Sequence, residues 1–154
     1  MANNFDSLVG TWDGVNRRLA ERLVGSEVWE EGFPGRLVIR PALGGAAYLD
    51  EVHFPTLDSH GLTMCLFDPE LDEWSLYTAS SAGSPPLDPP MVGRFVDGHG
   101  EFFCEETYEG RDIQVRHTWT DITATTARWE QAFSVDGGET WETNWIAEQT
   151  RVVA

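Results

Sequence analysis

Residues 126–149 read TARWEQAFSVDGGETWETNWIAEQ, and this stretch decides the fold. Two runs, Thr126–Ser134 and Thr140–Gln149, alternate apolar and polar residues with a period of two, the mark of half-buried strands. Between them, Gly137 and Gly138 can take the positive φ angles that a tight turn requires. Asp136 can accept backbone N–H groups inside that turn. Trp141 can pack back across the strand pair. The stretch is therefore read as a hairpin, with Asp136, Gly138 and Trp141 as its structural residues. Trp129, Gln131 and Phe133 share one face of the first strand. Trp141, Thr143, Trp145, Gln149 and Arg151 share one face of the second. Glu130, Glu142, Asn144 and Glu148 are expected to face solvent, an assignment that a bulge would reverse downstream.

Ser134–Trp141 also fits the spaced pattern Ser-x-Asp-x-Gly-x-Thr-Trp, which resembles the Asp-box of sialidases and related β-propellers. A propeller needs several blades of roughly 40–50 residues. The chain has 154 residues and a single copy of the pattern. Length and copy number exclude a propeller, and a catalytic role for Asp136 goes with it.

The same alternation runs through most of the chain. Further strand candidates are Thr11–Leu19, Glu27–Phe33, Arg36–Ala42, Ala46–Phe54, Leu62–Phe67, Trp74–Ser80, Val92–Val96, Gly100–Tyr108 and Asp112–Asp121. Turn signals separate them at residues 68–73, 97–100 and 109–112, and a Pro-rich loop spans 80–90. Residues 4–9 suit one short helical turn with Phe5, Leu8 and Val9 inward. Residues 16–24 have some helical propensity, but no segment makes a convincing long helix. About nine to eleven strands joined by sequential hairpins predict an all-β domain. A closed antiparallel up-and-down barrel is favoured, because closure removes exposed edges.

Composition narrows the function. The formal net charge is −16, and all ten basic residues are arginine. The absence of lysine excludes a lysine Schiff base and a P-loop lysine. The acidic balance argues against nucleic acid and against anionic membranes, which need a basic face. Solubility is the plain reading of that charge. Cys65 and Cys104 lie in separate apolar strand-like runs without metal-ligand spacing and are expected to be reduced and buried. The N-terminal residues MANNFDSLVG carry no basic and apolar leader pattern, and no apolar run approaches a membrane span. These features lead to the expectation of a cytoplasmic protein.

Gly10-Thr11-Trp12 follows the short turn and opens the first strand, and Arg151 ends the last. This arrangement resembles that of lipocalins and calycins, in which a Gly-x-Trp closes the barrel floor and a terminal Arg lies across the Trp. A guanidinium over an indole gains a cation–π contact. A wider resemblance is carried by Phe5–Trp12, Val15–Leu23, Trp29-Glu30-Glu31, Leu43-Gly44-Gly45, Asp50-Glu51, Phe67-Asp68-Pro69, Leu87-Asp88-Pro89-Pro90, Gly93-Arg94-Phe95 and Ala127–Trp145. With these blocks the chain is similar to a bacterial family of lipocalin-like barrel proteins of unknown function. The resemblance implies the fold and the structural roles of Trp12 and Arg151. It implies no activity and no catalytic residue. Two positions depart from that family's pattern: Tyr48, where a small polar residue is usual, and His117, where Phe is common.

In a small barrel, alternate residues line the interior. In Asp112–Asp121, parity groups Ile113, Val115, His117 and Trp119. In Gly100–Tyr108 it groups Phe102, Cys104, Glu106 and Tyr108. Each of the neighbouring pairs Glu30/Glu31, Asp50/Glu51 and Glu105/Glu106 should place one carboxylate inward. An inward carboxylate either ion-pairs with Arg40, Arg94, Arg116 or Arg128, or is desolvated and available for acid–base work. His117 and Glu106 are the catalytic candidates, with Tyr77 or Tyr108 as phenol donors. Tyr48, Arg94, Trp119, Trp129, Gln131 and Trp145 complete the candidate ligand-binding set. His53, His60, His99 and His117 are scattered, so no metal site is expected. No cofactor is expected either; haem, on an exposed axial His near the mouth, is the alternative.

Three readings of function follow. The first is binding of a small hydrophobic molecule inside the barrel. The second is a cofactor-free lyase, isomerase or cyclase acting on a hydrophobic metabolite in the same cavity. The third is an interaction module that pairs as a homodimer through an aromatic outer face.

Overall fold

The computed structural model describes residues 4–83 and 89–153. It has ten strands: β1 (Gly10–Arg18), β2 (Phe33–Ala42), β3 (Ala47–Phe54), β4 (Ser59–Asp68), β5 (Glu73–Ser80), β6 (Met91–Val96), β7 (His99–Tyr108), β8 (Arg111–Thr120), β9 (Thr126–Ser134) and β10 (Glu142–Arg151). Each pairs antiparallel with its sequence neighbours, and β1 pairs with β10, so the sheet closes as an up-and-down barrel. The all-β, closed-barrel expectation is met, and the architecture is compatible with a lipocalin-like fold. Among the described residues, no helix is long and apolar enough to cross a membrane. Residues 84–88 of the Pro-rich loop, and with them Leu87-Asp88, lie outside the described residues.

One expected strand does not form. Residues 27–32 make a single bridge, between Leu19 and Trp29. The regular β1–β2 ladder ends at Asn16↔Phe33, and beyond it the two segments are joined by isolated backbone bonds, Glu30 N–H to the Arg18 carbonyl at 2.8 Å and Ala20 N–H to the Val28 carbonyl at 2.9 Å. Pro34-Gly35, which falls between the expected strands Glu27–Phe33 and Arg36–Ala42, lies inside β2.

The connection from β1 to β2 instead folds across one end of the barrel. The Arg22 guanidinium sits 5.5 Å from the Phe133 ring centroid. Leu23 N–H donates to Glu142 at 2.7 Å, and Arg111 donates to the Leu23 carbonyl at 3.1 Å. Glu142 is therefore engaged by the covering segment rather than left in solvent.

The opposite end is closed by the N-terminal residues. Asp6–Leu8 form one 3-10 turn that buries Phe5 and Leu8. Phe5 contacts the rings of Tyr48, Trp74, Phe95 and Phe102 at centroid distances of 4.8–5.8 Å. Trp12 is fully buried and donates its indole N–H to the Leu8 carbonyl at 2.9 Å. Arg151 lies 4.2 Å over the Trp12 ring. Its guanidinium also donates to the Val9, Ser7 and Ala124 carbonyls at 2.6–2.8 Å. One side chain thus ties the last strand to the N-terminal segment that forms the floor.

The hairpin between β9 and β10 forms as its residues direct. Gly137 and Gly138 have φ of 74° and 90°. Asp136 accepts from the Thr140 backbone N–H at 2.9 Å, from the Thr140 hydroxyl, and from the Ser134 hydroxyl at 2.7 Å. These bonds to the ionised form hold the Asp136 carboxyl down to about 2. The Trp141 indole donates to the Gly138 carbonyl at 3.1 Å, and Arg116 lies 4.5 Å over its ring.

A register shift between Thr143 and Trp145 marks a bulge in β10. It reverses the expected exposure of Asn144, which is fully buried.

Candidate functional site

Alternation along each strand fixes what faces the interior. On β1 these are Trp12, Gly14 and Asn16; on β2, Phe33, Gly35, Leu37 and Ile39. Large aromatics fill the floor end, and at Gly14 and Gly35 the space a Cβ would take is occupied by the side chains of Gln149, Asn16 and Phe54. The rest of the interior is not filled. It contains a cavity of about 410 Å³, within the range of roughly 300–1,000 Å³ typical of small-molecule sites. Phe5 borders its floor. Leu37, Val52, Leu76, Met91, Val115, Trp119, Trp129 and Trp145 supply apolar wall. Leu62 and Ala79, which face outward on β4 and β5, border it as well and place the opening at that end of the two strands. There β5 has outrun its partner, since it pairs with β6 only from Trp74 to Leu76.

Polar groups enter the cavity on two sides. On one, His117 Nε2 lies 2.9 Å from Gln131 Oε1, and Gln131 Nε2 donates to Asn144 Oδ1 at 2.9 Å. The order of donors and acceptors sets the histidine tautomer. Gln131 uses its amide N–H toward Asn144, so its carbonyl accepts from His117 Nε2–H, and Nδ1 carries the ring lone pair. Burial pushes the His117 pKa down to about 4, against a smaller opposing effect of the Gln131 bond. The ring is therefore neutral near pH 7. It packs edge-on against Trp129 at 4.8 Å, and Trp129 against Trp145 at 5.9 Å. The Trp145 indole donates to Asn16 Oδ1 at 3.1 Å. Asn144 Nδ2 and Gln149 Oε1 are buried without a partner among the described residues.

On the other side stands Asp50, in register with Thr63 on β4, which in turn faces Thr78 on β5. All three line the cavity. Desolvation alone pushes the Asp50 carboxyl up to about 7. The neighbouring Cys65 thiol is pushed up by burial and, secondarily, by the Asp50 charge.

The structure brings together His117, Glu106, Trp119, Trp129, Gln131 and Trp145 on the cavity wall. It places four other candidate ligand residues elsewhere. Tyr77 and Arg94 face outward, because β5 turns Trp74 and Leu76 inward and β6 turns Met91 and Phe95 inward. Arg94 lies 3.8 Å from Glu73 on the outer face. Tyr48 points inward but below the cavity; its hydroxyl donates to Asp6 of the floor turn. Tyr108 points inward at the far end, packed 5.4 Å from Phe133.

The inward arginines expected as ion-pair partners are not there. Arg128 bonds Glu130 and Glu148 on the outer face, and Arg116 covers Trp141. Of the three carboxylate pairs, two contribute an inward member, Asp50 and Glu106. Glu30 lies in the β1–β2 connection, 3.6 Å from Arg18.

Sequence reasoning passed over Asn16, Thr63 and Thr78, placed Gln149 on the face of Trp145 without giving it a role, assigned Asn144 to solvent, and saw Asp50 only as half of a pair. Parity with Tyr48, Val52 and Phe54 was the available signal for Asp50. Nothing in the sequence located the bulge that buries Asn144.

Fold and cavity together define a closed antiparallel β-barrel with an interior compatible with a ligand site. No protein-family model matches the chain, and no curated protein matches it. Among the described residues, no group of three or more His, Cys, Asp or Glu is gathered where it could hold a metal ion.

Proposed function

We propose that this lipocalin-like barrel binds a small, predominantly apolar molecule in its interior. The observation that carries the reading is the unfilled cavity of about 410 Å³, walled by Trp119, Trp129 and Trp145 and interrupted by few polar groups. Apolar area supplies affinity in such a pocket, and the few polar groups fix orientation. A barrel filled solid by its seven tryptophans and eight phenylalanines would have left no room for this function. Native mass spectrometry of gently purified protein, beside the denatured mass, tests the reading. An added mass of a few hundred daltons that is lost on denaturation is the expected result. A bare polypeptide mass, together with no quenching of tryptophan fluorescence across a panel of hydrophobic compounds, would overturn it.

One observation favours acid–base catalysis in the same cavity as the second reading. His117 is neutral, is held by Gln131 through Nε2, and keeps Nδ1 as a base. Asp50, poised near neutrality on another wall, can supply or take the second proton. A lyase, isomerase or cyclase needs no more than such a pair and a shaped pocket. With the natural ligand identified, His117→Ala should retain binding and lose turnover. Turnover undiminished in His117→Ala would remove this second reading.

A further inference from the structure

The titratable groups on the cavity wall are Asp50, Cys65, Glu106 and His117. No arginine is among the lining residues, and the chain has no lysine. A ligand carboxylate or phosphate would therefore enter without the cation that normally receives it. Asp50 has the opposite need. Among the described residues it has no hydrogen-bond or ion-pair partner, although buried carboxylates ordinarily have one.

We propose that the cavity selects a hydrophobic amine, held as its ammonium ion against the Asp50 carboxylate. The inference rests on the interior being a ligand site and names the class of ligand. The ladder pairs Asp50↔Thr63 and Thr63↔Thr78 place further oxygen acceptors along the same wall, Thr63 on the strand next to Asp50 and Thr78 one strand further. A primary ammonium has three N–H donors, and the carboxylate with the Thr63 hydroxyl on the neighbouring strand offers three oxygens to receive them. The indoles of Trp119 and Trp129 suit both the apolar body and the charge, since an aromatic face attracts a cation; Trp145 already carries Arg18 at 5.4 Å, whose own charge is paired with Glu30.

The other titratable groups do not oppose it. His117 is neutral near pH 7, so it does not repel an ammonium. Burial and the Asp50 charge keep the Cys65 thiol protonated. Glu106 adds an acidic group at the wall, and the chain's net charge of −16 favours cations at its surface. Binding an ammonium draws Asp50 into its ionised form, so uptake near neutral pH releases a proton.

The test is calorimetric titration of the full-length protein with three ligands of matched shape: tryptamine, tryptophol and indole propionate. At pH 8, tryptamine should bind at least about tenfold more tightly than tryptophol, and indole propionate more weakly than either. Tryptamine affinity should rise between about pH 6 and 8, with proton release read from buffers of different ionisation enthalpy. Asp50→Asn should bring tryptamine down to the level at which the same variant binds tryptophol. This variant replaces an unpartnered carboxylate with a neutral isostere, and the comparison of the three ligands on the unaltered protein needs no variant. Equal binding of tryptamine and tryptophol, or an amine preference that survives Asp50→Asn, would overturn the amine inference and leave the cavity reading standing. If none of the three binds, the amine inference falls, and the cavity reading is decided separately by the native mass and the ligand panel.

Discussion

Asp50 and His117 line the same cavity, and burial moves their pKa values in opposite directions, to about 7 and about 4. Between pH 4 and 7 the folded protein keeps a proton on Asp50 that the unfolded chain has lost, so this group lowers stability as pH rises. Between pH 4 and 6.5 the unfolded chain protonates His117 and the folded protein does not, so this group raises stability as pH rises. The two slopes, each at most about 1.4 kcal/mol per pH unit, oppose one another over nearly the same window. Each single substitution should therefore expose the slope of the residue that remains. Asp50→Asn should show stability climbing from pH 4 to 6.5, and His117→Gln should show it falling from pH 4 to 7. Urea denaturation at a series of pH values reads both. Parallel curves for the two variants would contradict these environments.

At the scale of elements, β6 is the place where the barrel is drawn tightest. It has six residues and sits between β5 and β7. A Cβ on Gly93 would fall 1.8 Å from the Glu101 carbonyl oxygen and 2.8 Å from Phe102 Cα, so glycine is required for the backbones to approach. Gly93→Ala must push β7 away from β6. It should cost about 1–3 kcal/mol, read as a lower urea midpoint with faster amide exchange in β6 and β7. An unchanged midpoint would mean that the strands do not pack as described. At the other end of the chain, the bulge in β10 shows how one extra residue changes a site. It turns Asn144 into the barrel to accept from Gln131, which in turn fixes which nitrogen of His117 carries the proton.

For the whole molecule, closure depends on a few residues that join distant parts of the chain. Arg151 covers Trp12 and bonds the Ser7, Val9 and Ala124 carbonyls, so it secures both the floor turn and the β1–β10 seam. Arg151→Ala removes a cation–π contact over the fully buried Trp12 and three hydrogen bonds to the Ser7, Val9 and Ala124 carbonyls, of which that of Val9 is partly buried. It should cost about 2–4 kcal/mol, with Trp12 becoming accessible to acrylamide quenching before global unfolding. Arg151→Lys should recover part of the loss. A full-strength barrel in Arg151→Ala would show that the floor is held by packing alone.

Much of the barrel was legible in the chain itself, for local physical reasons. Strand parity is set by successive side chains pointing to opposite faces, so the inward placement of His117, Trp119, Trp129 and Gln131 followed from position alone. Turn chemistry at Asp136, Gly137 and Gly138 is equally local, and so the hairpin could be read directly. Strand pairing and height along the barrel axis are not local. Whether residues 27–32 form a regular ladder depends on the register in which they meet the end of β1. Whether Tyr48 and Tyr108 reach the cavity depends on their layer, and whether Asn144 is buried depends on a register shift. The unfilled volume, the carboxylate of Asp50 without a partner among the described residues and a cavity wall without arginine emerge only when ten strands close on themselves, because each is a property of what stands across the barrel and not of what stands next in sequence.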